Sequence, residues 1–231
     1  MAGTLYAIAT PLGGTAADAL PAAALKTVKT LRHFVVENAK SARAFLKEVG
    51  MPCEIQALEI SVLESDLLKH IRRLQAGDSI GLLSEAGCPA IADPGAVLVA
   101  AAQRAGIRVV PLIGPSSIVL ALMASGLEGQ RFAFCGYLPR DVEERRKKIK
   151  EIESRSRRER ETQIFIETPY RNDVLLGALL EGLSKNTLLC LATDLTLPSE
   201  EIRTQSISHW RGARYTIGKR PTVFLLLSVN R

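Results

Sequence analysis

The sequence predicts an α/β protein of two domains, the first of them built around a mainly parallel sheet. Three observations support this prediction. Apolar segments of strand length alternate with segments of helical periodicity through the first half of the chain. Most of the strand-like segments are apolar at nearly every position, which is typical of parallel strands covered on both faces. After residue 139 the composition becomes highly charged before strand-like sequence returns, which indicates a second domain.

The first strand is the apolar run LYAIA at residues 5–9, which ends at the loop sequence TPLGG. Residues 66–75 are predicted to form a helix because their leucines and isoleucine fall on one helical face. The other elements predicted in this half are strands at residues 34–36, 79–83 and 108–112 and helices at residues 21–31, 39–49 and 96–105. In such a fold, ligands bind at the loops that follow the carboxyl ends of the parallel strands.

A charged segment follows at residues 140–161, with ten basic and seven acidic side chains. This composition predicts an exposed connector helix, whose charges either compensate one another in solvent or face a polyanion. We expect residues 139–160 to form the hinge between the domains. Beyond the hinge, the sequence predicts strands at residues 163–166, 187–192 and 222–228 and a helix at residues 172–183. We assign residues 1–115 to the first predicted domain and residues 116–231 to the second, which includes the charged connector helix.

The composition is that of an ordinary globular protein, with 231 residues of which 47% are hydrophobic. No apolar run approaches the roughly 18 residues that span a bilayer, and the sequence that follows Met1 leads directly into a strand rather than a signal peptide. We therefore expect a cytoplasmic protein without a membrane partner. The four cysteines are widely scattered and none has zinc-ligand spacing, so we expect neither disulfides nor a metal site.

The formal net charge is +6. An excess of positive charge favours a polyanionic partner such as RNA, because phosphate contacts dominate nucleic-acid affinity. It is equally typical of a basic surface with no particular partner.

Several common signatures are missing from the sequence. No G-x-G-x-x-G follows a strand and no G-x-S-x-G is present, which argues against a dinucleotide-binding Rossmann domain and an α/β-hydrolase. The segment GARYTIGKR at residues 212–220 has one residue too many between its glycines for a phosphate-binding loop, and Arg220 stands where a Ser or Thr is needed. We expect structural or surface roles for His33, His70 and His209.

Three loops at predicted strand ends are rich in glycine, proline and small hydroxyl residues: residues 10–14, residues 84–95 (SEAGCPAIADPG) and residues 113–117 (IGPSS). Glycine lets the backbone approach a ligand closely, and proline fixes the shape of a loop before the ligand binds. Such loops suit a neutral or cationic small molecule held by main-chain hydrogen bonds. The alternative is that they are simply tight turns between strands and helices.

These loops also carry a resemblance to a known family. Six segments occur in the order typical of the tetrapyrrole methylase superfamily: LYAIATPLG (5–13), ENAK (37–40), LSEAGCPAIADPG (83–95), PLIGPSS (111–117), GYLPR (136–140) and ETPYR (167–171). Within that superfamily, the chain is most similar to the bacterial methylases that modify the ribose 2′-hydroxyl of a cytidine in 16S ribosomal RNA. The resemblance covers almost the whole chain.

The resemblance implies a homodimeric methyltransferase of two α/β domains, with S-adenosyl-L-methionine bound in the cleft between them. The cofactor-binding residues that it implies are Pro11, Gly87, Cys88, Ile91, Ser116 and Ser117 from the three loops and Glu167, Ala192 and Thr222 from the second domain. The resemblance thus implies that the segment at residues 84–95 is a preformed loop that binds the cofactor.

Four residues are candidates for catalysing the reaction or for binding the substrate. Glu37 and Asp93 are candidate catalytic bases or orienting groups, and the alternative is helix capping or loop hydrogen bonding. Arg43 and Arg171 are candidates for holding substrate phosphate, and the alternative is surface ion pairs.

The chain departs from the pattern of the ribosomal RNA methylases at several positions. It has Glu-Asn-Ala-Lys at residues 37–40 where those methylases tend to have Glu-Asp-Thr-Arg, and Glu85 where they tend to have Asp. We expect an S-adenosylmethionine-dependent methyltransferase that acts on ribosomal RNA or the small ribosomal subunit. Two alternatives remain open: a methylase of a small, tetrapyrrole-like molecule, and an inactive module that binds the cofactor only.

Overall fold

The computed structural model describes residues 2–63 and 66–228, and the chain forms two compact units, Met1–Ser116 and Ser117–Arg231. Each unit holds one five-stranded sheet, so the predicted α/β class with two sheets is confirmed. The chain passes from one unit to the other at residues 116–117 and not at residues 139–160, so the expectation of a hinge there was wrong.

The first unit alternates strands and helices. Its strands are β1 (Thr4–Ile8), β2 (His33–Val36), β3 (Glu59–Val62), β4 (Ile80–Leu83) and β5 (Arg108–Pro111). Its helices are α1 (Ala16–Ala19), α2 (Ala22–Thr30), α3 (Ala39–Val49), α4 (Leu67–Ala76) and α5 (Ala96–Arg104), with a 3-10 turn at Ile55–Ala57. The predicted strands and helices of this half are all present, and their ends differ from the prediction by at most one residue.

The first sheet has the order β3-β2-β4-β1-β5, and each neighbouring pair is parallel. The central strand β4 is buried at all four positions, as its uniformly apolar sequence predicts. Because β1 and β4 are neighbours at the centre, the loops that follow them emerge side by side at the carboxyl edge of the sheet. The loops after β2 and β5 emerge at the same edge.

The second unit has a mixed sheet. Its strands are β6 (Phe132–Tyr137), β7 (Thr162–Ile166), β8 (Leu188–Thr193), β9 (Glu201–Ser206) and β10 (Thr222–Leu227). Its helices are α6 (Ser117–Ser125), α7 (Val142–Glu159), α8 (Asn172–Gly182) and α9 (Ile207–Gly212), with a 3-10 turn at Pro169–Arg171. The order is β6-β7-β10-β8-β9; the pair of β6 and β7 is parallel and the other pairs are antiparallel.

Helix α7 covers most of the charged segment and lies within the second unit. Ile149 and Ile152 on its inner side are buried in the same core as Trp210. The buried carboxylate of Glu153 accepts hydrogen bonds from the backbone amide of Ser184 at 2.8 Å, from the Ser184 hydroxyl at 3.1 Å and from the Thr187 hydroxyl. The helix is therefore a packed element with one charged outer side, not the exposed connector that its composition predicts.

None of the helices in the described part of the chain has the length and apolarity needed to cross a membrane.

Candidate active site

The first two glycine-rich loops are joined directly to each other. The backbone amide of Thr10 donates to the carbonyl of Gly87 at 2.9 Å, and the amide of Gly87 donates back to Thr10 at 3.0 Å. The buried Thr10 hydroxyl lies 3.4 Å from the carbonyl oxygen of Ser84, and the Ser84 hydroxyl donates to the Gly87 carbonyl at 3.2 Å. These bonds fix the start of residues 84–95 against the end of β1.

Gly87 sits where only glycine fits comfortably. Its φ is +77°, a left-handed conformation that side chains disfavour. A Cβ at this position would lie 3.2 Å from Leu12 Cδ2 and 3.8 Å from the carbonyl oxygen of Pro115. The absence of a side chain therefore lets all three loops approach one another.

The third loop is fixed against the other two by Gly114 and by Cys88. A Cβ on Gly114 would overlap the side chain of Ala9, so only glycine lets the third loop pass so close to the end of β1. The Cys88 thiol donates to the Pro115 carbonyl at 3.3 Å. Burial, and to a lesser degree the charge of Asp93, raises the pKa of the Cys88 thiol, so it keeps the proton that it donates.

Two alanines in residues 88–95 have a backbone conformation that alanine rarely adopts. Ala90 and Ala92 have φ of +66° and +63°, and Ile91 between them is 51% exposed. Hydrogen bonds from the Ala90 amide to Pro94 and from the Ile91 amide to Cys88 close this turn. Non-glycine residues in this conformation are strained and are common at binding sites, where the surrounding contacts hold them in place.

Three carboxylates lie together beside these loops. The carboxylate of Glu37, just after β2, accepts a hydrogen bond from the backbone amide of Glu85 at 3.1 Å, and the Glu85 carboxylate lies 3.4 Å from the Ser41 hydroxyl. Burial, and then the charge of Glu37, raises the pKa of Asp93 to about 6, although the Ser84 hydroxyl works in the opposite direction. The structure thus brings Glu37 and Asp93 together, and their assignment as catalytic residues stays a prediction.

Two of the departures from the family pattern have a structural reading. Asn38 is the N-cap of α3, and its side-chain oxygen accepts from the amides of Lys40 at 2.8 Å and Ser41 at 3.4 Å. Asparagine and aspartate cap helices about equally well, so Asn38 preserves the start of α3. The longer side chain of Glu85 reaches Ser41 on the same helix.

The residues predicted in the second unit lie at one end of its sheet. Glu167 directly follows β7, whose last residue Ile166 pairs with Val223, and Val223 pairs with Ala192. Thr222 begins β10 and is buried, and its hydroxyl lies 3.3 Å from the Thr193 hydroxyl. Glu167, Ala192 and Thr222 therefore share one end of this sheet, and their roles at the cofactor stay predictions.

Glu167 carries a buried carboxylate that is only partly satisfied. Its Oε1 accepts from the amide of Thr168 at 2.7 Å. Its Oε2 is buried without a hydrogen bond in the described residues, and the guanidinium of Arg171 lies 3.3 Å away as an ion-pair partner. The guanidinium of Arg171 therefore balances the charge of Glu167 in this structure. An ion pair was the alternative to phosphate binding that the sequence left open for Arg171.

Arg43 is exposed on α3, and its guanidinium lies 3.4 Å from the carbonyl oxygen of Ala39. It lines a shallow depression together with Lys47, Cys53 and Gln56. No described contact joins it to the three loops, and its role with substrate stays a prediction.

The remaining loop residues take simple positions. Pro11 follows the Thr10–Gly87 pair, Ser116 ends the first unit and Ser117 begins α6.

The four cysteines are free thiols. Within residues 2–63 and 66–228, no three His, Cys, Asp or Glu side chains are arranged to hold a metal ion. His70 is buried on α4, and desolvation lowers its pKa.

Sequence reasoning missed the participation of Thr10, Ser84 and Glu85. Ser84 and Glu85 directly follow the buried strand β4, so their position at the carboxyl edge could have marked them. The pairing of Thr10 with Gly87 had no signal in the sequence, because it joins two irregular loops.

Comparison with known proteins supports one family. The model of the family Tetrapyrrole (Corrin/Porphyrin) Methylases matches residues 4–209. The chain is 36% identical over 203 residues to a ribosomal RNA small subunit methyltransferase I of Mesorhizobium japonicum, a match that covers 88% of this chain and 67% of that protein. It is 32% identical over 203 residues to the protein of the same name from Pseudomonas aeruginosa, covering 88% of this chain and 70% of the relative.

A solved diphthine synthase shares the fold at 17% sequence identity and a TM-score of 0.64, covering 97% of this chain and 89% of that one.

Proposed function

Because the chain belongs to the tetrapyrrole methylase family and is a methyltransferase, we propose that it uses S-adenosyl-L-methionine to methylate a ribose 2′-hydroxyl of ribosomal RNA. One observation carries this proposal: relatives named for methylation of small-subunit ribosomal RNA match the chain over most of its length. The family match includes all three glycine-rich loops.

The residues of the first unit fit S-adenosyl-L-methionine. The missing side chain at Gly87 lets Leu12 and Pro115 pack closely against this residue, so the three loops are held together before a ligand binds. The carboxylates of Glu37, Glu85 and Asp93 favour a cation nearby, and this ligand carries a sulfonium and an ammonium group. When bound, S-adenosyl-L-methionine supplies the electrophilic methyl carbon of the reaction.

Asp93 is the best candidate in the first unit for accepting the proton of the attacking hydroxyl. With a pKa of about 6, it is mostly ionised at pH 7 and is more basic than an ordinary carboxylate. Burial, and then the charge of Glu37, maintains that raised pKa of Asp93, and the Glu37 carboxylate also orients residue 85 through its backbone amide. The three loops hold these groups in place before substrate binds, and such positioning supplies much of the rate enhancement in group transfer.

The resemblance to the family supports two further parts of the proposal. We propose that the protein acts as a homodimer in the cytoplasm. Pro11, Cys88, Ile91, Ser116, Ser117, Glu167, Ala192 and Thr222 are proposed to contact the cofactor together with Gly87.

Transfer of a labelled methyl group tests the proposed function. The purified chain is incubated with radiolabelled S-adenosylmethionine and small ribosomal subunits from a strain that lacks the equivalent methylase. We expect the label in the ribosomal RNA. Methylation of a 2′-hydroxyl makes the adjacent phosphodiester resistant to alkaline cleavage, and this resistance identifies the labelled nucleoside. Label in a uroporphyrinogen substrate instead would favour the small-molecule alternative. Cofactor binding without transfer to either acceptor would favour the inactive module.

A further inference from the structure

Tyr170 and Lys219 form an exposed aromatic and cationic pair in the second unit. The Tyr170 side chain is 78% exposed, and the ammonium of Lys219 lies 5.0 Å from the centroid of its ring. No ion-pair partner for Lys219 is present among the residues that the structure describes. Proteins that bind single-stranded nucleic acids stack the bases on aromatic rings and attract the phosphates with positive charges. Tyr170 and Lys219 provide one exposed group of each kind.

The pair is held in place by buried and backbone hydrogen bonds. The side-chain amide of Asn172, which is fully buried, donates to the carbonyl oxygens of Gly218 at 3.2 Å and Arg220 at 2.7 Å. The carboxylate of Asp173 accepts from the amides of Ile217 at 2.7 Å and Gly218 at 3.1 Å. Because both residues begin α8 directly after Tyr170 and Arg171, they fix residues 217–220 beside the tyrosine.

In the described part of the chain, the arginines next to the pair are bound in ion pairs, whereas Lys219 has its contact with the Tyr170 ring and no carboxylate partner. The guanidinium of Arg220 is bound to Asp194 at 2.7 Å and to Glu201 at 3.3 Å. Arg171 is paired with the buried Glu167. The carboxylate of Asp173 is occupied by the two amides described above. A phosphate at this surface would therefore meet Lys219 without first having to displace an ion pair.

The pair also lies close along the chain to predicted cofactor residues of the same unit. Tyr170 follows Glu167 by three residues, and Lys219 precedes Thr222 by three. Glu167 and Thr222 lie at the same end of the second sheet. A strand of RNA bound at Tyr170 would thus lie beside the residues that the family resemblance implicates in the reaction.

We propose that Tyr170 and Lys219 form a docking surface for single-stranded RNA, with Tyr170 stacking on a base and Lys219 contacting a phosphate. The inference deepens the proposed function and rests on it, since it assigns a surface to the RNA substrate. Stacking on an aromatic face tolerates any base, so the surface would hold a strand near the reacting nucleotide without choosing its sequence.

The test measures binding of the full chain to a fluorescent single-stranded RNA of about eight nucleotides over a range of salt concentrations. We expect Tyr170→Ala to weaken binding on the order of tenfold, whereas Tyr170→Phe keeps the ring and stays near the wild type. Lys219→Gln is expected to lower the slope of log affinity against log salt by about one. Affinity for S-adenosylmethionine is expected to stay unchanged in these variants.

Two variants serve as matched controls. Phe132→Ala removes another exposed aromatic ring, 46% exposed at the start of β6, where Phe132 pairs with Thr162 at the end of the strands opposite to Glu167. Lys26→Gln removes an exposed lysine of the first unit. Phe132→Ala is expected to leave RNA affinity unchanged, and Lys26→Gln is expected to leave the salt slope unchanged.

Three results would overturn the inference. They are wild-type RNA binding by Tyr170→Ala, equal losses in Tyr170→Ala and Phe132→Ala, and a change of oligomeric state by Tyr170→Ala in sedimentation, which would assign the surface to protein contacts. A wild-type chain that does not bind the RNA overturns it as well. Failure of the proposed function gives a different result from failure of this inference. If the proposed function fails, the wild type binds S-adenosylmethionine but transfers no methyl group to small subunits. If instead the wild type methylates small subunits and Tyr170→Ala does so with an unchanged KM, the inference alone fails.

Discussion

Thr10 and Gly87 exchange two backbone hydrogen bonds, of 2.9 Å and 3.0 Å, and so join the loops that follow the two central strands of the first sheet. The left-handed conformation of Gly87 makes this pairing compatible with the nearby Leu12 and Pro115. The close approach of these loops therefore depends on a glycine at residue 87.

The variant Gly87→Ala tests this dependence. The added methyl group meets Leu12 at 3.2 Å and strains the backbone, so we expect affinity for S-adenosylmethionine to fall on the order of tenfold, or about 1.4 kcal/mol. Isothermal titration calorimetry measures this loss. Gly106→Ala is the matched control, because Gly106 also has a positive φ but no atom within 4 Å of the added methyl group. Both variants are expected to lose about 1 kcal/mol of stability, and equal cofactor affinity in the two would contradict the account.

Asp93→Asn tests the proposed proton acceptor. Loss of a general base typically lowers kcat by about 10² to 10⁴, and we expect a loss in that range with little change in cofactor affinity. In the wild type, kcat should fall as the pH is lowered through about 6, since Asp93 then takes up a proton. A steady-state profile of kcat against pH measures this fall. If Asp93→Asn kept full activity and the same fall of kcat at low pH, another group would accept the proton.

The same substitution has a second expected effect, on stability. The pKa of Asp93 is raised in the folded chain above its ordinary value of 3.8, to about 6. A carboxyl with a raised pKa contributes most to stability below its unfolded pKa, and this contribution is lost as the pH rises through the folded pKa. Asp93→Asn should therefore raise Tm at pH 8 and have much less effect at pH 4. Scanning calorimetry at the two pH values checks this, and an equal shift at both would show that the effect is not electrostatic.

Glu153 provides a test in the second unit. Its buried carboxylate accepts hydrogen bonds from Ser184 and Thr187, so Glu153→Ala leaves these donors without an acceptor. We expect a loss of about 2–4 kcal/mol. The fluorescence of Trp210, the single tryptophan and buried in the same core as Ile152 of α7, reports urea unfolding of this unit.

Glu151→Ala on the same helix is the control for Glu153→Ala. It removes only an exposed ion pair with Lys148 and should cost less than about 0.5 kcal/mol. Similar losses in the two variants would show that burial of Glu153 is not what stabilises the helix.

The parts of the fold that could be predicted are those with local signals. Strand β4 is apolar throughout, and α3 has both a capping residue, Asn38, and a terminal glycine, Gly50. Strands β3 and β9 gave no such signal, because they are edge strands whose side chains are mostly half-buried and mixed in polarity. These two strands lack the continuous apolar run on which the predictions depended, whereas the edge strand β5 has adjacent valines and was predicted.

The candidate site could be predicted in composition but not in arrangement. Glycines and prolines after β1, β4 and β5 marked the loops, and their place at the carboxyl edge followed from a parallel sheet. The bond from the Glu85 amide to Glu37 joins residues 48 positions apart, and nothing in either segment indicates the other. The left-handed Ala90 and Ala92 were equally hidden, because alanine disfavours that conformation and a pattern of residue types does not reveal strain.

The most direct measurement is a calorimetric titration of the wild type and of Ser116→Tyr with S-adenosylmethionine and S-adenosylhomocysteine. The account predicts saturable binding of both ligands to the wild type and loss of binding in the variant, whose larger side chain enters the third loop next to Pro115. A folded wild-type chain that binds neither ligand, at concentrations where micromolar affinity is visible, would contradict the claim that these joined loops hold the methyl donor.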